Sequence, residues 1–378
     1  MMYCKKIAVE DFRNIEKAEV AFSEGVNILI GENAQGKTNL LEAIFYASVG
    51  RSFRATRSEE MIRFGASTAE ISLDYRDAKR DQNLRVRLFR DKRRIVERNG
   101  LKLDRMSDIV GGFRAVLFCP EHLSLIKDGP AERRSYMDVA ISRMYPMYMH
   151  ALQNYHTILK QRNALLKQAT VDRRSFDATI ELWSDRLAAE AAVIAEARLQ
   201  FIRRANGYVA ACFADMTGDR EQPTMIYDGS SGQPEEEYFD REATAKRYRE
   251  LLMASHDREI AAGATLWGIH KDDLDIRLNG KSARIYASQG QQRSLALAMK
   301  LAEGEICREE FSDDPVFLFD DVLSELDAAR REFLIRRIHD KQVILTTCEN
   351  ENLFSLSDAC MIRVENGRYT EMTETSEV

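Results

Sequence analysis

The feature that most constrains this chain is an eight-residue segment near its N-terminus with the form G-x-x-x-x-G-K-T. It consists of Gly31, Glu32, Asn33, Ala34, Gln35, Gly36, Lys37 and Thr38. The apolar run Val26–Ile30 predicts a buried strand before it, and an apolar periodicity over residues 40–44 predicts a helix after it. A glycine-bearing loop in that setting presents backbone N–H groups to an anion. The segment therefore predicts a phosphate loop, in which Lys37 reaches nucleotide phosphates and the Thr38 hydroxyl binds Mg²⁺.

A pair of carboxylates follows another predicted strand late in the chain. The uncharged run Val316–Phe319 leads directly into Asp320 and Asp321. In open α/β sheets, ligands bind beyond the carboxyl ends of the strands. We therefore expect Asp320 to hold Mg²⁺ through water, and Asp321 to orient or activate an attacking water as general base.

A polar segment just before a predicted helix (Ser294–Glu305) suggests a second anion site. This signature segment comprises Ser288, Gln289, Gly290 and Gln291. It presents a hydroxyl, backbone N–H groups and the positive end of a helix dipole. Its simplest use is to reach the γ-phosphate of a nucleotide held by another subunit. The alternative interpretation is a polar turn that only caps the helix.

One stretch is strongly basic, although the chain as a whole carries a formal net charge of −6. Residues 78–102, the basic segment, hold ten Lys or Arg against three acids, a local balance of +7. This pattern favours contact with a phosphate backbone over a merely solvated surface. The predicted DNA-binding residues are Arg85, Arg87, Lys92, Arg93 and Arg94, together with Arg51, Arg54 and Arg57.

Length and composition predict two or three domains in a chain of 378 residues. We expect an α/β head in two parts, 1–125 and 263–378, interrupted by a mostly helical lobe at 126–262. Within the lobe, residues 219–237 are rich in turn-forming types and are expected to be mobile. Strand character returns at Leu274–Leu278 and Ala283–Ala287. Six scattered cysteines and the lack of any long apolar run predict a cytoplasmic protein with no membrane partner.

Taken together, these segments resemble the ATP-binding-cassette ATPases in their chromosome-maintenance branch, and within it the recombination mediators of bacterial DNA repair. The resemblance runs from residue 6 to about 348. It is carried by DFRN, GENAQGKTNLLEAI, GRSFR, FCPEHL, ERRSYMD, GIHKDDL, ASQGQQRSLALAMKLAE and LFDDVLSELD.

The resemblance implies an ATP-binding-cassette head with an inserted helical lobe, and ATP and Mg²⁺ as cofactors. It places Arg13 among the nucleotide contacts and has Ser288 touch the ATP of a partner in an ATP-dependent homodimer. It also implies slow hydrolysis and binding to single-stranded, double-stranded or junction DNA. The expected protein partners are RecO and RecR, with which the protein would help to load the RecA recombinase.

Other function classes stay open at this point. One is the ATPase subunit of a transporter, which would have a membrane-docking groove and a shorter insert. Another is a nucleotide-switched scaffold without useful hydrolysis. A phosphate-loop kinase has no need of the signature segment, and a nuclease would require an acidic metal cluster beyond Asp320 and Asp321.

Overall fold

Strands and helices account for much of the chain in the computed structural model, which describes residues 2–218, 220–348 and 359–372. The strands are β1 (Tyr3–Phe12), β2 (Ile15–Ala21), β3 (Val26–Ile30), β4 (Thr68–Arg76), β5 (Asp81–Phe89), β6 (Ile95–Arg98), β7 (Leu101–Lys102), β8 (Ala115–Phe118), β9 (Pro223–Asp228), β10 (Asp273–Leu278), β11 (Lys281–Ser282), β12 (Val316–Asp320), β13 (Val343–Thr347), β14 (Cys360–Glu365) and β15 (Arg368–Glu371). The helices are α1 (Lys37–Val49), α2 (Ser124–Lys127), α3 (Pro130–Met144), α4 (Pro146–Gln168), α5 (Arg173–Thr217), α6 (Arg241–Ala254), α7 (His256–Ala262), α8 (Ala283–Tyr286), α9 (Gln289–Phe311) and α10 (Ala328–Ile338).

The phosphate loop follows the third strand of a mixed sheet with the order β15-β14-β3-β13-β12-β8. From β14 to β8 the neighbouring strands are parallel, and β15 is antiparallel to β14. Strands β3, β8, β12 and β13 are buried along their whole length, as expected of parallel strands that are covered on both faces. Because β3, β13 and β12 are parallel neighbours, their carboxyl ends bring residues 31, 320 and 347 to one edge of the sheet.

A second sheet is antiparallel throughout, with the order β2-β1-β4-β5-β6-β7. In β4 and β5, buried apolar residues alternate with more exposed polar ones, so this sheet has one core face and one solvated face. Helix α1 packs against strands of both sheets and is buried nearly all round. The helix that begins in the phosphate loop therefore lies in the core of this part of the protein.

The chain divides into two compact units. The first takes residues up to 124, residues 211–220 and residues from 289 onward, and it contains both six-stranded sheets. The second takes residues 125–210 and 221–288 and contains helices with the small sheet β11-β10-β9. Residues 263–288 fall in the second unit rather than with the head, because β10 pairs with β9 along its whole length.

Three local predictions differ from the structure. The segment 219–237 contains β9, whose pairing with β10 gives the turn-rich sequence a regular backbone between Pro223 and Asp228. The stretch Ala283–Ala287 is not a strand, since Ala283–Tyr286 forms one helical turn after the short β11. Helix α9 begins at Gln289, five residues earlier than predicted, so most of the signature segment lies in its first turn.

All six cysteines lie within the described residues and are free thiols, of which Cys348 is exposed. In the same residues, no helix combines the length and the apolar character needed to cross a membrane.

The second unit contains buried ion pairs beside its apolar core. The side chains of Arg162 and Glu259 are both fully buried and lie 2.6 Å apart, and Arg162 also donates to Thr265 and Ser184. Arg198 pairs with Asp138 at 2.9 Å and with Asp272 at 3.3 Å. Breaking such a pair leaves a charge buried without compensation, which costs far more than the loss of a surface pair.

We predict that Arg162→Met lowers the free energy of unfolding of the second unit by roughly 3–5 kcal/mol, because it strands the Glu259 carboxylate. Denaturant unfolding followed by tryptophan fluorescence measures this, since the only two tryptophans, Trp183 and Trp267, lie in that unit. Arg173→Met is the matched control, because Arg173 forms an exposed pair with Asp177. A loss for Arg162→Met no larger than that of the control would contradict a stabilising role for the buried pair.

Candidate functional site

The phosphate loop has the backbone of an anion site. It leaves β3 at Ile30 and enters α1 at Lys37, and the left-handed φ of +116° at Gly36 makes the turn into the helix. Among the residues that the structure describes, no side chain caps the N-terminus of α1, so the first N–H groups of the helix can bind a ligand. Ala34 also has a positive φ of 65°, which only the surrounding contacts can hold in a residue with a Cβ.

Those contacts come from behind the loop. Three successive carbonyls each accept a hydrogen bond from a residue that is distant in sequence. The pairs are Asn14 Nδ2 to Ala34 O (3.1 Å), Gly367 N to Gln35 O (2.9 Å) and Tyr369 Oη to Gly36 O (3.0 Å). In a trans peptide the N–H points opposite to the C=O. The N–H groups of the next three residues therefore point away from these donors, as phosphate binding requires.

The ammonium group of Lys37 is held against the loop itself. Its Nζ donates to the carbonyl of Gly31, to that of Glu32 at 2.8 Å and to Cys348 Sγ at 3.4 Å. Loop carbonyls thus position the charge at the mouth of the anion site, where a phosphate can take over these contacts.

Asp320 is the centre of a hydroxyl–carboxylate cluster. Its Oδ1 accepts hydrogen bonds from Thr38 Oγ1 and from Thr346 Oγ1, each at 2.8 Å. Burial raises the pKa of Asp320, and the two hydroxyls oppose that rise. Asp321 follows with a positive φ of 50°, and its N–H donates to Thr346 Oγ1 at 2.9 Å. A hydroxyl beside a buried carboxylate is the oxygen donor set that Mg²⁺ favours, so these residues fit the cation.

A cavity of about 540 Å³ joins these groups, in the size range of nucleotide-binding clefts. Besides the phosphate loop and both aspartates, its lining includes residues that the motifs did not assign to a nucleotide. These are Asn14, Asn39, Arg54, Pro120, Glu121, Thr346 and Cys348. Arg54 was predicted to bind DNA, but its guanidinium donates to Asn39 Oδ1 at 3.2 Å, and its positive charge partly opposes the rise that burial causes in the pKa of Asp320. The only sequence signal, a basic residue shortly after the phosphate-loop helix, does not by itself distinguish a nucleotide contact from a DNA contact.

Arg13 lies outside the residues that line this cavity. Its guanidinium forms a two-point ion pair with the fully buried Glu42, with N–O distances of 2.8 and 2.7 Å, and donates to the Glu60 carbonyl. Ser52 also bonds to Glu42 and accepts from the backbone N–H of Arg54. Arg13 therefore fixes the segment that carries Arg54 into the cavity.

The signature segment sits at the start of a long helix. Ser288 and Gln289 are exposed, and Gln289, Gly290 and Gln291 form the first turn of α9. Arg330 packs against Gly290 and donates to Ser294 Oγ at 2.5 Å, which ties this turn to the start of α10. Among the described residues, Gln289, Gly290 and Gln291 are absent from the lining of the nucleotide cavity of the same chain.

The basic segment divides into two kinds of cation. Arg85 and Arg87 lie on the solvated face of the antiparallel sheet, where they pair with acids on neighbouring strands. Arg85 reaches Glu70 at 3.3 Å and Arg87 reaches Glu97 at 2.7 Å. Cross-strand acids therefore offset much of the charge that the linear count assigned to β5.

The loop between β5 and β6, residues 90–94, carries four exposed Lys and Arg residues and is called the basic loop here. Lys92 lies 4.2 Å from the ring centroid of Phe89, and Arg93 is exposed. Arg94 instead donates to Tyr46 Oη and to the carbonyl of Gly50, at the C-terminal end of α1. Arg51 and Arg57, which follow α1 in the sequence, are also exposed.

The family model of the RecF/RecN/SMC N-terminal domain matches residues 3–370 of this chain. A DNA replication and repair protein RecF of Acetivibrio thermocellus is 35% identical over 373 residues, covering 97% of this chain and 99% of that protein. One of Exiguobacterium is 37% identical over 370 residues, covering 97% and 98%.

Solved structures give the same result. The recombination mediator protein RecF of the RecFOR pathway, described as RecF-ATP, superposes with a TM-score of 0.89 at 32% identity, covering 98% of this chain and 99% of that one. An Smc head domain of Pyrococcus furiosus has a TM-score of 0.57 at 17% identity and covers 98% and 96%, which shows a shared fold. The predicted α/β fold with an ATP-binding-cassette head is thereby confirmed. The chain belongs to the RecF/RecN/SMC family and, within it, to the RecF proteins.

Proposed function

We propose that this protein is an ATP-dependent DNA-binding protein of recombinational repair that dimerises on ATP and hydrolyses it slowly. The observation that carries the proposal is the single cavity in which the phosphate loop, Thr38, Asp320 and Asp321 meet, in a chain that is similar to RecF along nearly its whole length.

In this proposal, the phosphates of ATP lie against the N–H groups of the phosphate loop, residues 31–38. Lys37 exchanges its loop carbonyls for oxygens of the β- and γ-phosphates, and Arg54 adds a second cation from the cavity wall. Both charges are held in place before ATP arrives, Lys37 by loop carbonyls and Arg54 by Asn39. Preorganised donors of this kind stabilise the charge that develops in phosphoryl transfer.

Thr38 and Asp320 would hold Mg²⁺, which supplies charge neutralisation at the β- and γ-phosphate oxygens. Asp321 accepts the proton of the attacking water, while the bond between the γ-phosphorus and its bridging oxygen breaks and ADP leaves. The N–H bond from Asp321 to Thr346 fixes the backbone that carries this carboxylate. Glu121 is the other carboxylate on the cavity wall.

The signature segment is proposed to complete the site of a second copy of the chain. Ser288 is an exposed residue, and the first turn of α9 can offer backbone N–H groups to an anion. Among the described residues, Gln289, Gly290 and Gln291 do not line the cavity that holds the phosphate loop of their own chain. Two identical chains related by a twofold axis can then bury two ATP molecules, each between Lys37 of one and Ser288 of the other.

For DNA, we propose the basic loop as the principal contact, with Lys92 and Arg93 on backbone phosphates and Arg51 and Arg57 as further cations. Arg85 and Arg87 contribute less, because acids on adjacent strands already pair with them. The physiological role is then to bind gapped or junction DNA and, with RecO and RecR, to help load RecA. Membership of the RecF family decides against the transporter alternative, whereas a nucleotide-switched scaffold differs from this proposal in having no turnover.

We predict that Asp321→Asn lowers ATP turnover by about 10²- to 10⁴-fold while ATP binding is retained, because the amide cannot accept the proton of water. Phosphate release and nucleotide affinity are measured together, with Asp340→Asn as an exposed control in the same unit. If the loss appears in Glu121→Gln instead, the general base is Glu121. Absence of turnover in the unmodified protein would favour the scaffold.

The composite site predicts complementation between two inactive variants. Lys37→Met removes the phosphate-loop charge and Ser288→Arg blocks the signature segment, so each variant alone should neither dimerise with ATP nor turn it over. An equimolar mixture should regain up to about half of the normal turnover, because only mixed dimers can form and each holds one intact site and one doubly altered site. Sedimentation and phosphate release check this. A mixture as inactive as its components, or turnover by a monomer, excludes the shared site.

Reversing charge on the basic loop should weaken DNA binding. For Lys92→Glu combined with Arg93→Glu, we expect lower affinity for DNA. The slope of log affinity against log salt concentration should become shallower by about two, the value for two lost phosphate contacts. Arg173→Glu with Arg174→Glu makes the same change in net charge on exposed residues of the second unit and should leave affinity nearly unchanged. Fluorescence anisotropy over a range of salt concentrations measures both. Equal losses in the two variants would show a general charge effect instead of a local contact.

A further inference from the structure

Phe64 is the most exposed of the large hydrophobic side chains in the described residues, with 98% of its surface in water. It lies between the short 3-10 helix Ser58–Met61 and β4. Within residues 57–68 it is the only large apolar side chain that is exposed. A lone exposed ring is unlike the apolar patch of a protein–protein interface, whose core needs several such residues together.

The backbone beneath this ring is fixed. Ala66 N donates to the Arg63 carbonyl at 3.0 Å, and Gly65 has a φ of +87°, the features of a type II turn with Phe64 at its apex. Arg63 anchors the turn to β1 through two bonds to Asp11, one from its backbone N–H at 2.8 Å and one from its guanidinium at 2.7 Å. The turn therefore presents the ring in a defined position at little further cost in entropy.

The same turn is bound to the basic loop. Arg90, the first residue of that loop, donates to the carbonyls of Ala66 at 2.8 Å, Arg63 at 3.2 Å and Ile62 at 3.3 Å. The register of β4 with β5 pairs Thr68 with Phe89, so the turn and the basic loop lie at the same end of these two strands. The turn with its exposed aromatic ring is thus bonded to the loop that carries the exposed charges of Lys92 and Arg93.

We propose that Phe64 stacks on an unpaired base of bound DNA while the basic loop holds the neighbouring phosphates. A ring beside a cationic track is the combination by which proteins bind single strands, since every unpaired base offers a π-face. In a continuous duplex both faces of each base are already stacked. Phe64 therefore makes the surface select gapped or tailed DNA, and this selection depends on the DNA binding proposed above.

The test compares Phe64→Ala, Phe64→Leu and Phe64→Trp on two DNA probes of equal length. One is a fully paired duplex, and the other has a short single-stranded gap containing 2-aminopurine. Loss of the ring should weaken binding to the gapped probe by roughly 5- to 100-fold, the scale of one stacked base, and change duplex affinity less than twofold. Phe64→Trp should retain gap binding and quench the 2-aminopurine, whereas Phe64→Leu should behave like Phe64→Ala. Because the ring buries almost no surface, these variants should fold as the unmodified protein does.

The outcomes separate this inference from the proposed function. If the unmodified protein binds neither probe, the proposed DNA binding and the stacking both fail. If it binds the gapped probe and Phe64→Ala binds equally well, the stacking is excluded and the proposed DNA binding stands. The stacking is also excluded if Phe64→Leu binds the gapped probe as tightly as the unmodified protein does. It is excluded as well if Phe64→Ala weakens binding to the two probes by the same factor. Unchanged nucleotide affinity in all three variants confirms that the effect belongs to the DNA surface.

Discussion

The nucleotide site depends on hydrogen bonds made to the outer side of the phosphate loop. A loop can offer its N–H groups to phosphate only if its carbonyls are satisfied elsewhere, because each peptide points the two groups in opposite directions. Here Asn14, Gly367 and Tyr369 donate hydrogen bonds to three successive carbonyls of the loop. Gly31 contributes by lacking a side chain, since a Cβ there would collide with the Val364 carbonyl. Val364 lies in β14, which forms a hairpin with β15 that also contains Gly367 and Tyr369. The anion site is therefore formed by the sheet around the loop as much as by the loop.

The two aspartates of the site are also positioned by a neighbouring strand. One threonine, Thr346, donates to the Asp320 carboxylate and accepts from the Asp321 backbone, so a single hydroxyl positions both acids. It comes from β13, the strand that lies between β3 and β12 in the sheet. The central strand thus connects the phosphate loop on one side with the acidic pair on the other, and none of the three strands forms the site alone.

Local signals predicted the parts of this arrangement that are contiguous in sequence. The strand Val26–Ile30 was predicted with its observed limits. The second predicted strand, Val316–Phe319, was one residue short, because Asp320 is the last residue of β12. The outer bonds to the loop escaped prediction. Asn14 belongs to the DFRN string, but that resemblance assigned a nucleotide role only to Arg13, and Tyr369 lies 333 residues after Gly36 of the loop, outside every motif. Arg54 could not be separated from the DNA-binding candidates, since its use depends on the direction in which Arg13, Glu42 and Ser52 turn the loop. The roles of these residues stay predictions.

A linear charge count leaves out distant acids for a related reason. The excess of +7 over residues 78–102 ignored acids that register brings alongside, such as Glu70 opposite Arg87 and next to Arg85. In the same way, β9 was hidden by proline and glycine at its ends, because its stability comes from pairing with β10 about 50 residues later instead of from its own residues. Where a distant residue decides the local structure, the local sequence pattern does not show which residue that is.

The order of strands in the mixed sheet also bears on how the chain folds. Strand β3 is made early, yet both of its neighbours, β13 and β14, belong to the last part of the chain. Loop closure over such separations is slow, and a growing chain meets its C-terminal strands only when synthesis is nearly complete. The antiparallel sheet, whose strands all lie before residue 103, has no such wait. Nucleotide binding is consequently a late event in the life of each molecule, and a ribosome-bound or C-terminally clipped chain has no finished phosphate site with which to compete for ATP.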